Sequence, residues 1–326
     1  PNSTEDARYT VYHRGGKTEF SVNQTMGGGT WIYLGTFSFD KGRNNSCKVI
    51  LSNRSDKAGR IITADAVKIG GGMGNIARSR SPQGTTENLK SSDKRNLQPV
   101  DASAPSIFDN YSQPQTSTYP RFCEAARYWL QWAGIPDSIY SESQGKNDYT
   151  DDYKCRGIWV NYLAGGSSVN PDEKGLNIPI DLAFAFHSDA GTTLNDSIIG
   201  TLGIYYTDVY GGKYANGASR YLARDLTDLI QSNIVRDIRS LYEPDWSRRG
   251  MWNKSYFEAR VPRVPTMLLE MLSHQNFADM RYGLDPRFRF TVSRAIYKGM
   301  LQFISSISGT DYIVQPLPVD LSLIHI

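Results

Sequence analysis

Two residues in the second half of the chain carry side chains able to activate water, and each follows an apolar run that reads as a strand. His187 closes the run Leu182-Ala183-Phe184-Ala185-Phe186 and opens His187-Ser188-Asp189-Ala190-Gly191; Glu270 closes Val264 to Leu269. In open α/β sheets ligands bind beyond the carboxyl ends of the strands, so polar groups at two such ends are candidates for one site. A neutral imidazole is a common zinc ligand, and a carboxylate beside a metal can act as general base on water. By spacing alone, a His after an apolar strand is more often a hydrogen-bonded structural residue. Glu270 could likewise pair with Arg260 or Arg263 as a structural ion pair. The coincidence of two strand ends favours the chemical reading.

The elements that must position these groups follow from periodicity. The continuous apolar run within Ile178 to His187 suits a buried parallel strand, and Leu202 to Tyr206 reads as another. Leu222, Leu226, Leu229, Ile230, Ile234, Ile238 and Leu241 mark a long amphipathic helix, and Phe290 to Ile304 a closing one. Upstream, Phe122, Ala125, Ala126, Trp129, Leu130 and Ala133 recur at helical spacing, ending at Gly134-Ile135-Pro136. Asp148 to Tyr153 reads as a loop and Ile158 to Leu163 as a strand. Strands alternating with helices predict an α/β layer fold for this half.

Residues 7–69 have a different character. Alternating runs at Tyr9 to His13, Phe20 to Gln24, Trp31 to Phe39, Lys48 to Leu51 and Ile61 to Ile69 are separated by Gly, Asn and Asp. Short strands so punctuated predict an antiparallel sandwich, with too few strands here to complete one. Gly27-Gly28-Gly29 and Gly70-Gly71-Gly72 precede no helix, so they read as loop glycines, not as a phosphate cradle. Trp31, Tyr9 and Tyr12 have faces that could stack on sugars, although such residues are usually core or cross-strand pairs. Residues 79–118, rich in Ser, Gln, Asn, Pro and Thr, read as a linker.

Composition narrows the function classes. At roughly 150 residues per domain, 326 residues predict two domains. A net charge of +3, from 36 basic and 33 acidic residues, generates no field that would draw nucleic acid. Hydrophobic residues at 39%, with 20 tyrosines, suit a secreted or periplasmic protein that handles sugar-containing polymers. Cys47, Cys123 and Cys155 lie far apart, which argues against a cysteine zinc site and a disulfide framework and leaves one Cys123–Cys155 bridge open. No apolar run approaches the ~20 residues a membrane helix needs.

Two resemblances sharpen this. The run YTVYHRGGKTEFSVNQTMGGGTWIYLGTFSF followed by ITADAVKIGGGMGNIAR resembles the golvesin/xanthan-lyase-type carbohydrate-binding-like domain, through Asn23-Gln24, Trp31, Leu34-Gly35-Thr36 and Ala64 to Val67. IDLAFAFHSDAG and VPTMLLEMLSHQNFADMRYGLDPRFRFTVSRAIYKGMLQFI resemble the ligand strand and the closing motif of the N-acetylmuramoyl-L-alanine amidase family. The second resemblance implies an amidase-like, zinc-exopeptidase-type α/β domain beside the incomplete all-β sandwich module. In it His187 would be a zinc ligand, Glu270 the catalytic acid/base, and Asp189, Arg260, His274 and Asn276 candidate substrate-pocket residues. The whole is similar to Bacteroidetes proteins labelled xanthan-lyase-like, in which a golvesin-type domain interrupts an amidase-like one. That family needs a further His and Glu on zinc, expected upstream of residue 1; Glu124 is the internal candidate, and His13 a poor one.

The expected organisation is thus a golvesin-like module truncated at its N-terminus over 1–78, a linker over 79–118, the C-terminal part of an amidase-like domain over 119–310, and a tail. Leu321 to Ile326 spell LSLIHI, the string an in-frame sequencing adapter encodes, so natural sequence is expected to stop near Asp320 and His325 is set aside. The expected function is zinc-dependent hydrolysis of an amide bond in peptidoglycan or a related glycan–peptide polymer, in the cell envelope or outside the cell. The alternatives are a carbohydrate-binding protein with a silent amidase-like scaffold, or a polysaccharide lyase of xanthan type.

Overall fold

Residues 2–42, 47–69, 125–144 and 146–314 are described by the computed structural model. They fall into two units: residues up to Ser167 with Pro171–Pro179, and Ser168–Asn170 with the chain from Ile180 onward. The linker reading of 79–118, Cys123, Glu124 and the LSLIHI tail lie outside the described residues.

In the first unit β1 (Ala7–His13) is paired antiparallel with β2 (Gly16–Val22) and β3 (Lys48–Leu51), in the order β2-β1-β3. Ala7 and Val11, on one face of β1, are buried. Residues 31–39 and 61–69, expected as strands, are not strands: Trp31 N–H donates to Ala133 O at 2.9 Å, and Ile61 makes only an isolated bridge to Ser3. Gly35, at φ 144°, interrupts the first segment with a conformation that L side chains rarely adopt. The described residues therefore hold one three-stranded sheet in this region.

The same unit contains α1 (Ala126–Ala133), α2 (Asp137–Tyr140) and α3 (Asp148–Ala164), packed around Leu130, Trp132, Ile135, Tyr140 and Cys155. α1 stops where Gly134 takes the left-handed conformation, φ 81°. α3 overturns both readings for its span, the loop over 148–153 and the strand over 158–163. Asn147 caps it by accepting from Thr150 N–H at 3.0 Å, and Trp159 and Tyr162 pack on the apolar cluster. Tertiary burial thus outweighs the local β preference of Ile158 to Leu163.

Cys155 is buried and forms no disulfide; its thiol donates to Asp152 O at 3.0 Å. Burial, with Asp152 adding to it, pushes the thiol up to about 12. Since the thiolate is the nucleophile, Cys155 should stay unmodified by iodoacetamide at about pH 8 in the native protein and react fully once unfolded. Peptide mapping by mass spectrometry checks this, and prompt native labelling would contradict it.

The second unit is built on a mixed sheet of order β4-β7-β5-β6, from β4 (Ala183–Asp189), β5 (Thr201–Tyr205), β6 (Arg248–Asn253) and β7 (Thr266–Ser273). β4 runs parallel to β7 and β5 parallel to β6, while β5 and β7 are antiparallel. The expected buried parallel strand is indeed parallel. It starts later than expected, at Ala183, and as a flanking strand it is only partly buried, with Phe186 58% exposed. Central β7 is buried at every residue except Glu270.

α4 (Tyr221–Leu241) and α7 (Pro286–Ser308) match the two predicted amphipathic helices. Their apolar stripes meet the sheet in a core containing Leu226, Ile230, Ile234, Ile238, Met267, Leu269, Phe288 and Phe303. Full burial of each such side chain contributes roughly 1.5–3 kcal/mol. α7 begins at Asp285, whose side chain accepts from Arg287 N–H at 2.8 Å, with Pro286 in the first turn. No helix among the described residues is long and apolar enough to cross a membrane.

α4 and α7 approach closely at Gly299, where a Cβ would stand 2.6 Å from the Ile230 Cα. Backbone cannot yield as a side-chain tip can, so Gly299→Val should cost about 1–3 kcal/mol or more through overpacking. A urea titration would show this as a lowered midpoint; an unchanged midpoint would mean the helices separate freely.

Candidate active site

Because β4 and β7 are parallel and His187 and Glu270 are Cα partners, the two side chains leave the sheet on the same face. Neighbouring strands lie about 4.8 Å apart, which sets the scale of their separation. The same alternation places Ala185, Leu268, Leu202 and Ile204 on that face, where they form a small apolar cluster. Neither residue ends its strand, contrary to expectation: β4 continues to Asp189 and β7 to Ser273. The register shifts between His187 and Asp189, just past the pair. An irregularity there re-aims the chain where the strands leave the site.

A residue not singled out in the sequence completes the cluster. α5 (Phe257–Arg260) presents Glu258, whose Oε2 lies 3.0 Å from His187 Nε2, both side chains being largely buried. α5 is held by Arg220, which is fully buried. Its guanidinium donates to Ala259 O at 3.3 Å, Arg260 O at 3.0 Å, Pro262 O at 3.4 Å and Tyr206 O at 3.2 Å, with the Tyr214 ring 4.6 Å away. Those carbonyls take the place of a carboxylate partner, and burial still pulls the Arg220 pKa down.

Glu270 is the group most affected by its surroundings. Its Oε2 is buried and has no hydrogen-bond partner among the described residues. Burial raises its pKa above the ordinary carboxylate value; the nearby His187 and Arg249 oppose this, and Asp189 and Glu258 add to it. Asp189 pairs with Arg249 of β6 and accepts from Gly191 N–H at 3.2 Å. The alternative ion pair with Arg260 or Arg263 is not formed. Arg263 lies 3.5 Å over the Tyr210 ring, and Arg260 lies against Phe257 with its buried Nε lacking a hydrogen-bond partner among the described residues.

Two further sequence candidates are engaged in local structure. The Nδ1 of His274 is 3.2 Å from Ser188 Oγ. Asn276 is buried and caps α6 (Phe277–Gly283), a helix not foreseen, by accepting from Asp279 N–H at 2.9 Å. It also donates to Ser197 O at 2.9 Å, and Asp279 in turn accepts from the backbone of Ile199, Gly200 and Ser273. These bonds pin the loop that follows β4. An Asn with an Asp three residues on is a helix-start signal that could have revealed α6. Nothing local in Lys254 to Arg260 pointed to Glu258.

Among the described residues no three His, Cys, Asp or Glu side chains converge as a metal-binding group. An imidazole nitrogen and a carboxylate oxygen face each other all the same, and both are donors zinc takes. A single such pair is fewer than the three protein donors usual for a catalytic zinc centre, so the described residues do not by themselves make up a zinc site. His13, on β1, is bonded to Thr18 Oγ1 at 2.9 Å and accepts from Gly15 N–H at 3.1 Å.

Residues 1–71 match the Golvesin C-terminal domain family. That bears out the golvesin resemblance over this span. No curated protein matches the chain. Among solved structures it is similar to the N-acetylmuramoyl-L-alanine amidase AmiC2 of Nostoc punctiforme, with 15% identity, TM-score 0.30, and coverage of 38% of this chain and 58% of that one. It is also similar to the N-acetylmuramoyl-L-alanine amidase from Clostridium difficile 630, with 17% identity, TM-score 0.35 and coverages of 52% and 80%. A third is the CwlD amidase from Clostridioides difficile, with 15% identity, TM-score 0.36 and coverages of 51% and 70%. The chain spans 58% of the length of the first of these. Likenesses this distant assign neither fold nor activity.

The Arg220 clamp gives a direct test of how the site is held. Arg220→Met keeps much of the volume but leaves buried carbonyls without donors, and should cost about 2–4 kcal/mol. Chemical denaturation measures this, and a loss below about 0.5 kcal/mol, the range of ordinary surface changes, would remove the clamp from the account.

Proposed function

We propose that the second unit is the catalytic part of a zinc-dependent hydrolase that cuts an amide bond in peptidoglycan or a related glycan–peptide polymer. The observation that carries this is Glu270: a carboxylate in an otherwise buried strand, with an unpartnered buried oxygen and a raised pKa, beside an imidazole on the same sheet face. A carboxylate so placed, its pKa raised by burial, is suited to exchange a proton with a reacting group. The amide-bond specificity and the zinc rest on the resemblance of the His187 and Glu270 segments to the amidase motifs.

His187 would hold the metal, which when bound polarises a carbonyl and makes water more acidic. Glu270 takes a proton from the attacking water as that water adds to the carbonyl carbon. It returns the proton to the amide nitrogen as the C–N bond breaks, so water and amide become acid and amine. The Asp189–Arg249 pair supplies opposite charges at the rim, and the apolar cluster of Ala185, Leu202, Ile204 and Leu268 limits water behind the reacting groups. The golvesin-type module would retain the polymer, in the cell envelope or outside the cell.

A non-catalytic carbohydrate-binding reading is favoured by one feature of the first unit. Trp31 and Tyr33 are 39% and 48% exposed, and exposed aromatic side chains of this kind are groups on which a sugar could stack. The two readings separate on activity. In the native protein, Glu270→Gln should lower release of peptide from purified peptidoglycan about 10²–10⁴-fold while zinc content stays constant. His187→Ala should lower zinc content itself. Full activity in Glu270→Gln, or a native protein that neither holds zinc nor cleaves an amide, would leave polymer binding as the function.

A further inference from the structure

We propose that Leu194 and Phe277 form an apolar platform beside the candidate site that seats an apolar side chain of the substrate's peptide arm. The inference rests on the hydrolase reading above and gives a specificity-determining role to two residues that reading does not use.

Both side chains face solvent, Leu194 being 89% and Phe277 76% exposed. Single exposed apolar residues are ordinary. These two differ in being held out by a polar framework that joins the segment after β4 to the segment after β7. Phe277 N–H donates to Asp196 Oδ1 at 2.9 Å, and Asn276 Nδ2 to Thr193 Oγ1 at 3.2 Å and Ser197 O at 2.9 Å. Asp279 accepts from the backbone of both Gly200 and Ser273, tying the far end of the same loop. Leu194 opens a 3₁₀ turn in which Asn195 and Asp196 take positive φ, 57° and 51°. Consecutive non-glycine residues in that region cost free energy that the framework offsets. Apolar groups presented on so fixed a backbone lose little further freedom when a ligand meets them.

The platform stands beyond the carboxyl ends of the two strands that carry His187 and Glu270. Ser273 closes β7 three residues past Glu270, about 10 Å along the strand. Where β4 ends, Asp189 O accepts from His274 N–H at 2.9 Å, so the two exits run side by side. An extended peptide advances about 3.3–3.6 Å per residue. A side chain several residues from a bond cut at Glu270 therefore comes level with Phe277.

The chemistry of the surface selects the occupant. Segments 188–200 and 273–280 contain Asp189, Asp196 and Asp279 and no Lys or Arg, which disfavours an anionic lipid surface. Two side chains fall far short of the roughly 800 Å² per partner that a stable protein interface buries. A leucine offers no flat face to a sugar ring, whereas an apolar side chain packs against leucine and phenylalanine alike. In a glycan–peptide polymer, the peptide arm is the part that carries such side chains.

Binding is measured by calorimetry on the full chain carrying Glu270→Gln, with three soluble probes from peptidoglycan: a glycan–peptide fragment, the free peptide and the peptide-free glycan. Adding Leu194→Ser or Phe277→Ser should weaken binding of the first two probes about 10-fold or more and leave the third unchanged. Both positions are exposed, so the urea midpoint should not move, and Phe277→Leu should keep most of the affinity. With Glu270 intact, the serine variants should raise KM and keep kcat. Unchanged peptide affinity in both serine variants, a loss confined to the glycan, or self-association of the chain through these residues would overturn the platform. Cleavage with native KM in the variants would overturn the platform and leave the hydrolase reading standing. Peptide binding that needs both residues, in a native chain that cleaves no amide, would overturn the hydrolase reading and leave the platform.

Discussion

The parallel pairing of β7 with β4 is the constraint on which the candidate site depends. It sets His187 directly across from Glu270, and the alternation of a strand then commits both side chains to one face. The opposite face of β7 is occupied by Met267, Leu269 and Met271 in the core beneath α4 and α7. A slip of one residue would exchange the two faces, burying the carboxylate among leucines and exposing the core residues. The helix pair, packed on the opposite face, therefore fixes their geometry by fixing the register.

That packing has an electrostatic consequence. A strand buried on both sides has no solvent to spare for an ionised carboxylate, so Glu270 is held above its ordinary pKa. Its ionised form costs stability, as is common where a fold keeps a group in readiness for proton transfer. The surrounding charges come from separate elements: His187 and Asp189 from β4, Arg249 from β6 and Glu258 from α5. Arg220, itself buried, couples the last of these to the segment after β5 through Tyr206 O.

The legibility of individual elements followed the strength of their local signals. α4 and α7 were readable because their apolar residues recur over many turns, and Asp285-Pro286 marks a helix start. α3 was not, because Ile158-Trp159-Val160-Asn161-Tyr162-Leu163 has the branched and aromatic character of a strand. Its helical state depends on the Asn147 cap and on burial against Leu130 and Trp132, which are distant in sequence. The segment 31–39 failed in the other direction: it alternates like a strand, yet its Trp31 N–H is committed to Ala133 O.

The sequence by itself determined which groups could do chemistry: a His and a Glu, each at the end of an apolar run, and a β-rich N-terminal module recognisable to residue 71. Those features are local, and the hydrophobic effect acts on them through side-chain order alone. Only the tertiary structure decided that the two residues are register partners inside their strands, that Asn276 starts a helix, and that a four-residue helix delivers Glu258 to His187. The physical reason is range. A 3.0 Å approach between residues 71 positions apart depends on how a sheet and its covering elements pack, and no spacing along the chain encodes that packing.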